Sequence, residues 1–282
     1  MRGYRKKRQF AVAPVRDRNS RDQTMEQTEL HALLLDVDGT LADTEDIHRQ
    51  AFNAAFAEAG LDWQWDAELY GELLAVTGGK ERIRYYLQRN RTDFKLPADG
   101  DGFIAGLHAG KTRFYVDSLA SGAVPLRPGV ERLLHDARAA GLRLAIVTTT
   151  TPANVTALLE HSFSVPVTDW FEVIAAGSVV PNKKPAPDIY DYALQQMDLP
   201  PAACIAIEDS YNGLLSATAA GVGALITVNP YTAQQDFDGA LAVLDHLGEP
   251  GMPCSLLAGS CAPDGLVDTA YLVELHRQPA MA

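Results

Sequence analysis

Residues 31–41 read His-Ala-Leu-Leu-Leu-Asp-Val-Asp-Gly-Thr-Leu, an apolar run that ends in two acids and a glycine. A run this short and this apolar is the pattern of a strand buried on both faces of a parallel sheet. Open parallel sheets bind their ligands outside the carboxyl ends of the strands, so Asp36 and Asp38 fall where chemistry is done. Two carboxylates at one turn repel each other unless a cation stands between them. Hard oxygen ligands suit Mg²⁺, which also screens an incoming phosphate. Alone, the Asp-Gly turn also reads as a loop with helix-capping aspartates.

Outward from this strand, similar apolar runs recur at 142–147, 171–175, 204–207 and 223–228, separated by helical stretches at 131–140, 153–160, 187–197 and 213–220. Repeated strand–helix units define an α/β fold, a doubly wound parallel sheet with a Rossmann-like core. Between residues 43 and 124 the pattern changes. Ile47, Ala51, Ala54, Ala55 and Ala59 follow helical spacing up to Gly60, further helices run to Leu119, and no strand pattern occurs. An all-helical insertion directly after the first strand is expected to form a cap over the crevice, with interruptions or hinges at Gly78-Gly79 and Ser121-Gly122. The expected organisation is a disordered extension at 1–28, a core from 29–42 and 125–249, the cap at 43–124, and a tail at 250–282. The last helix of the tail, 267–276, is expected to pack on the core.

The hydrophobic fraction of 47% is ordinary for a soluble globular chain, and no apolar run approaches the ~20 residues that span a bilayer. The net charge of -12 is unevenly spread, because residues 1–22 are strongly basic and the remainder is correspondingly more acidic. Such a body repels nucleic acid and anionic membranes, so neither is expected as a partner, and any phosphate it binds needs a local cationic site. Cys204, Cys254 and Cys261 have neither the spacing of a zinc site nor that of a disulfide framework. Residues 1–28 lack the apolar core of a secretory signal. A cytoplasmic location fits, with an organelle stroma as the alternative that the N-terminal arginines leave open. A monomer or weak dimer is expected.

Three further signals lie at the ends of expected strands. Thr148 and Thr149 follow the run Leu-Ala-Ile-Val and offer hydroxyls and amides to phosphate oxygens, although threonine is common at strand ends. Asn182-Lys183-Lys184-Pro185 offers a cation before a proline that restrains the backbone. Cys204-Ile-Ala-Ile-Glu208-Asp209 delivers a second acid pair to the same edge. A second acid pair opposite the first favours a metal site over helix capping.

These four elements in this order resemble the haloacid dehalogenase superfamily over residues 33–248. The stretches Thr-Gly-Gly-Lys-Glu-Arg (77–82), Lys-Lys-Pro-Ala-Pro-Asp-Ile-Tyr (183–190) and Ile-Glu-Asp-Ser (207–210) resemble, more narrowly, the CbbY-type sugar bisphosphatases. The resemblance implies a Mg²⁺-dependent phosphatase in which Asp36 attacks phosphorus to form an aspartyl phosphate. Asp38 would protonate the leaving sugar oxygen and later activate water. Asp36, the main-chain oxygen of Asp38, Asp209 and Glu208 would hold the metal, and Thr148 and Lys184 the transferring phosphate. Lys184 is chosen over Lys183 because the family's lysine directly precedes proline. The implied substrate is a small sugar phosphate, xylulose 1,5-bisphosphate, an inhibitor of Rubisco.

Glu45, His48 and Tyr70 stand at spacings that resemble substrate and proton-handling positions in the same group. Gly78, Gly79, Lys80, Glu81 and Arg82 are expected to grip a second phosphate with helix-start amides and two cations. Lys111 and Arg113 are expected on a solvated helix face. Tyr211 departs from the pattern, which often has arginine there. A β-phosphoglucomutase-like mutase and a non-catalytic phosphosugar-binding protein are the rival readings.

Overall fold

A computed structural model describes residues 28–122 and 124–282, so the expectation for 1–28 falls almost wholly outside the described residues. Seven strands form one sheet: β1 (Ala32–Leu35), β2 (Arg143–Thr148), β3 (Phe171–Ala176), β4 (Cys204–Glu208), β5 (Gly223–Thr227), β6 (Ala242–Leu244) and β7 (Leu256–Ala258). Their order is β3-β2-β1-β4-β5-β6-β7, parallel throughout except for β7, which runs antiparallel to β6. This is the expected doubly wound α/β architecture. β6 and β7 went unread because three residues are too few for any periodicity to register.

Alternate side chains of the central strands enter different cores. Leu33, Leu35, Ile146 and Ile207 pack on one face with Leu133 and Leu134 of α5 (Val130–Ala139) and Leu158 of α6 (Pro152–His161). Ala32, Leu34, Val147 and Ala206 pack on the other with Tyr190 of α7 (Asp188–Met197) and Leu214 of α8 (Tyr211–Ala219). Each buried leucine or isoleucine contributes roughly 1.5–3 kcal/mol, and burial on both faces explains why β1 shows no polar alternation. The last helix, α9 (Thr269–Leu275), sends Leu272 and Leu275 into the first of these cores.

Between β1 and α5 the chain is helical among the described residues: α1 (Glu45–Glu58), α2 (Ala67–Leu73), α3 (Gly79–Asn90) and α4 (Gly100–Ser121). These helices build their own apolar cluster around Phe52, Phe56, Trp63, Trp65 and Ile83. No helix of the described residues is long and apolar enough to cross a membrane.

Sheet order brings the site together. The chain runs from β1 outward to β2 and β3, then returns to the other side of β1 for β4, so the tips of β2, β1 and β4 are neighbours where the winding reverses. That reversal is where open α/β sheets keep a crevice.

Candidate active site

A cavity of about 520 Å³ lies between the carboxyl edge of the sheet and the helical insertion. Asp36, Asp38, Thr148, Thr149, Lys184 and Asp209 line it from the sheet side. Glu45, His48, Gly78, Gly79, Arg82, His108 and Lys111 line it from the helical side.

Lys184 is the centre of the floor. Its ammonium donates to Asp36 Oδ1 at 2.7 Å, to Glu208 Oε1 at 2.6 Å and to the main-chain oxygen of Val147 at 2.8 Å, which uses all three of its protons. Burial pulls its pKa down, but the Asp36 and Glu208 carboxylates outweigh this and hold it above the ordinary lysine value. The neighbouring Lys183 turns away to donate to the main-chain oxygen of Gly177 at 3.0 Å. The lysine that the family resemblance selects, the one before the proline, is thus the one that reaches the two carboxylates.

Asp36, Glu208 and Asp209 each place one oxygen so that all lie within 4.8 Å of one another. Burial and the neighbouring Glu208 and Asp38 push the Asp36 carboxyl up to about 7 despite Lys184. Burial, Asp36 and Glu208 raise Asp209 as well. Glu208 Oε2 is buried without a hydrogen-bond partner. Crowded, partly unpartnered carboxylate oxygens are the donor set of a hard divalent cation, so these residues fit a Mg²⁺. The Asp38 carboxylate lies outside this group, and the sequence-derived ligand at that residue was its main-chain oxygen.

The Asp38 side chain faces the helical insertion instead. Its Oδ1 accepts from Thr44 Oγ1 at 2.6 Å and from His48 Nε2 at 2.7 Å. Thr44 caps α1 without a side-chain bond to that helix, because its hydroxyl is used on Asp38. Behind His48, the Lys111 ammonium donates to Nδ1 at 2.6 Å, which places the ring proton on Nε2, and Tyr115 stacks on the ring at 4.2 Å. Burial and Lys111 lower the pKa of His48, so the ring is neutral. Burial would raise Asp38, but His48, the Thr44 hydroxyl and Lys111 together hold it below the usual carboxylate range.

The solvated position expected for Lys111 is therefore wrong: it is 5% exposed and packed on Phe52, Tyr115 and His48. Periodicity alone does not distinguish a helix face turned to solvent from one turned to a polar cavity. Arg113 behaves as expected, pairing with Glu58 at the surface.

Other residues divide. Tyr70 is fully buried and stands behind the cavity wall, where its hydroxyl donates to Glu45 Oε2 at 3.1 Å and accepts from Arg82 Nη1 at 2.9 Å. It orients the two residues that do face the cavity rather than facing it. Lys80 and Glu81 also lie outside the lining, so of the expected phosphate grip only Gly78, Gly79 and Arg82 reach the cavity. A helix presents one residue in three or four to a given side, and a contiguous motif at its start cannot all point inward. Tyr211 lines the mouth beside Gln235, whose Oε1 accepts from its backbone N–H at 2.7 Å. Tyr231, Thr232, Gln235 and Asp236 come from the loop after β5, which carries no motif and was missed.

An aspartate at the tip of the first strand, a buried lysine bridging it to Glu208 on a second strand tip and a helical insertion above them are the arrangement of a hydrolase of the haloacid dehalogenase type. The family model described as haloacid dehalogenase-like hydrolase matches residues 30–221. CbbY of Rhodobacter capsulatus is 55% identical over 75% of this chain and 91% of its own. The plasmid-borne CbbY of Cupriavidus necator is 49% identical over 79% of this chain and 88% of its own. A crystal structure of a variant CbbY of Rhodobacter sphaeroides in complex with xylulose-(1,5)bisphosphate superposes with a TM-score of 0.72, at 46% identity, covering 77% of this chain and 94% of that one. The chain belongs to the haloacid dehalogenase-like hydrolases and, among them, to the CbbY proteins; it is an enzyme, a phosphatase of that family. β-Phosphoglucomutase of Clostridium difficile shares the fold with a TM-score of 0.67 at 19% identity.

Proposed function

We propose that the chain hydrolyses xylulose 1,5-bisphosphate to xylulose 5-phosphate in a Mg²⁺-dependent reaction through a phosphorylated Asp36. The observation that carries this reading is the convergence of Asp36, Lys184, Glu208 and Asp209 beneath a cavity whose opposite wall holds Arg82 and Lys111. A floor and a roof that both present cations suit a substrate with phosphate at both ends. The crystal structure of a related CbbY with this sugar bisphosphate supports the choice.

An Asp36 oxygen attacks phosphorus and the bond from phosphorus to the sugar oxygen breaks; Asp38, ionised in the free enzyme by its bonds from Thr44 and His48, takes up a proton as the substrate binds and passes it to that oxygen. Water then attacks the phosphorylated Asp36, leaving its proton on Asp38 and restoring the carboxylate. Thr148 and Lys184 hold the transferring phosphate, and Arg82 with the amides of Gly78 and Gly79 holds the distal one. Asp36, Glu208, Asp209 and the main-chain oxygen of Asp38 would hold Mg²⁺, which supplies screening of the phosphate's charge. Residues 43–124 act as the cap that closes over the sugar, and 29–42 with 125–249 as the core.

Phosphate release from xylulose 1,5-bisphosphate, β-glucose 1-phosphate and phosphoglycolate, with and without Mg²⁺, tests the reading. The expected result is release from the pentulose bisphosphate, abolished by chelation and restored by Mg²⁺. Conversion of β-glucose 1-phosphate to hexose 6-phosphate without free phosphate would replace it with a mutase.

Lys111 gives the reaction a basic limb. Burial, reinforced by Arg82, lowers its pKa from 10.5 to about 8, so its ammonium is present below that pH and lost above it. kcat/KM is expected to fall as pH rises through 8, because neutral Lys111 no longer fixes the His48 tautomer that donates to Asp38. Lys111→Met should be slower at pH 7 by roughly 10- to 100-fold and should lack that limb. A limb unchanged in the variant would assign it to another group.

A further inference from the structure

Arg127 ends the second crossing from the helical insertion to the sheet, is 7% exposed, and lies outside the cavity lining. Both terminal nitrogens of its guanidinium donate hydrogen bonds. Nη1 donates to the main-chain oxygens of Gly39 and Thr227, the latter at 2.8 Å, and to the Thr227 hydroxyl at 3.2 Å. Nη2 donates to the main-chain oxygens of Val228 and Asp245, the latter at 2.8 Å, and Nε faces Asp43 Oδ1 at 3.2 Å. Its own backbone N–H donates to Leu41 at 2.9 Å.

These acceptors belong to parts that have to stay in register. Gly39 directly follows Asp38. Val228 precedes Asn229, whose amide donates to Asp209 Oδ2 at 2.7 Å. Asp43 lies on the first crossing into the helical insertion, and the two crossings meet in a bridge between Ala42 and Leu126. A Cβ at Gly39, whose φ is +82°, would overlap the Asp209 carboxylate and the Asn229 amide, so this turn has no slack on its other side.

The Asp36 position has other anchors. Its backbone N–H continues the ladder to Ile207 at 3.0 Å, and Lys184 holds its side chain. The Asp38 side chain is held by Thr44 and His48, but the backbone of its turn has, among the described residues, only its internal bonds, from Gly39 to Ala42 and from Thr40 and Leu41 to Val37, apart from those Arg127 supplies. Burying a guanidinium mostly among carbonyls, with one carboxylate whose side chain is 60% exposed, is a poor way to gain stability, since an apolar side chain would fill the space without desolvating a charge. A rigid planar fork does fix several acceptors at set distances, which a lysine cannot do.

We infer that Arg127 is a positioning residue for Asp38, a peg that fixes the Asp38 turn against the tip of β5 at the point where both crossings meet. This rests on the phosphatase reading and adds to it a residue that touches neither substrate nor metal.

Acid catalysis by Asp38 matters for a sugar alkoxide leaving group and little for nitrophenolate, which leaves without a proton. The test is therefore single-turnover rates of Arg127→Lys, saturated with Mg²⁺, on xylulose 1,5-bisphosphate and on 4-nitrophenyl phosphate, the second read as the nitrophenolate burst. The sugar ester should slow by roughly 30-fold while the burst changes by less than about threefold. Equal slowing of both, or of neither, overturns the inference. If the parent enzyme releases phosphate from neither ester, the phosphatase reading is what fails. Should Arg127→Lys not fold, Asp43→Asn removes the charged acceptor from the surface side and is expected to show the same selective loss at about threefold. Equal loss on both esters again overturns it.

Discussion

Asp36→Asn is expected to lower phosphate release by at least about 10⁴-fold, equivalent to about 5 kcal/mol of transition-state stabilisation, while leaving the fold intact. An amide nitrogen cannot form the acyl phosphate, and no other carboxylate takes its place. Asp38 is engaged by Thr44 and His48, Glu208 by Lys184 and Tyr190, and Asp209 by Asn229. The variant also reports on electrostatics. Burial and the adjacent carboxylates raise the Asp36 carboxyl from 3.8 to about 7, so its stabilising contribution is complete below pH 4 and is lost as pH rises toward 7. In chelator, Asp36→Asn should therefore melt above the parent at pH 7 and lose that advantage below pH 4. Calorimetry across this range checks the second outcome. Mg²⁺-dependent phosphate release by the variant would remove Asp36 as nucleophile.

Lys184→Met is expected to damage both stability and turnover. Its ammonium is the one cation that touches both Asp36 and Glu208 among the described residues, and its side chain is 4% exposed. Removing it leaves two buried carboxylates facing each other, at a cost of roughly 3–5 kcal/mol in the absence of metal. Urea unfolding in chelator measures this, and added Mg²⁺ should recover part of it, because a divalent ion relieves the same repulsion. Turnover with saturating Mg²⁺ should still fall by roughly 10³-fold, since Lys184 also stabilises charge on the transferring phosphate. Lys183→Met is the control: its bond to Gly177 is to a loop carbonyl, and less than about a tenfold change is expected. Similar losses in both variants would mean that the two lysines had been assigned to the wrong places.

Much of this site is legible in the order of residues because of how a parallel sheet is built. An apolar run of four to six residues ending in Asp, Thr or Glu can hardly be anything but a buried strand delivering that residue to the sheet's edge. Once Asp36, Thr148 and Glu208-Asp209 are each placed at a strand tip, their convergence follows from winding alone. The loop after β3 brings Lys183 and Lys184 to the same edge, and it was the family resemblance that chose the lysine before Pro185.

Cavity-facing residues on the helices and on the loop after β5 follow a different rule. Lys111 and Arg113 are two residues apart on one helix, equally charged, yet one is buried against His48 and the other is at the surface. Only the packing of α4 against α1 decides which is which. Tyr70, Lys80 and Glu81 read as a continuation of the substrate site and turn out to stand behind or beside its wall.

The sequence by itself determined the α/β class and the strand tips that carry Asp36, Asp38, Thr148, Glu208 and Asp209, because each depends on local apolar runs and on the direction in which strands end; the choice of Lys184 came from the family resemblance. Tertiary structure alone decided that His48 stands between Asp38 and Lys111, that Arg82 faces the cavity while Lys80 does not, and that Arg127 binds Gly39, Thr227, Val228 and Asp245 together. Those facts depend on which helix face meets which neighbour across 60 to 120 residues of chain, and no spacing along the sequence encodes that.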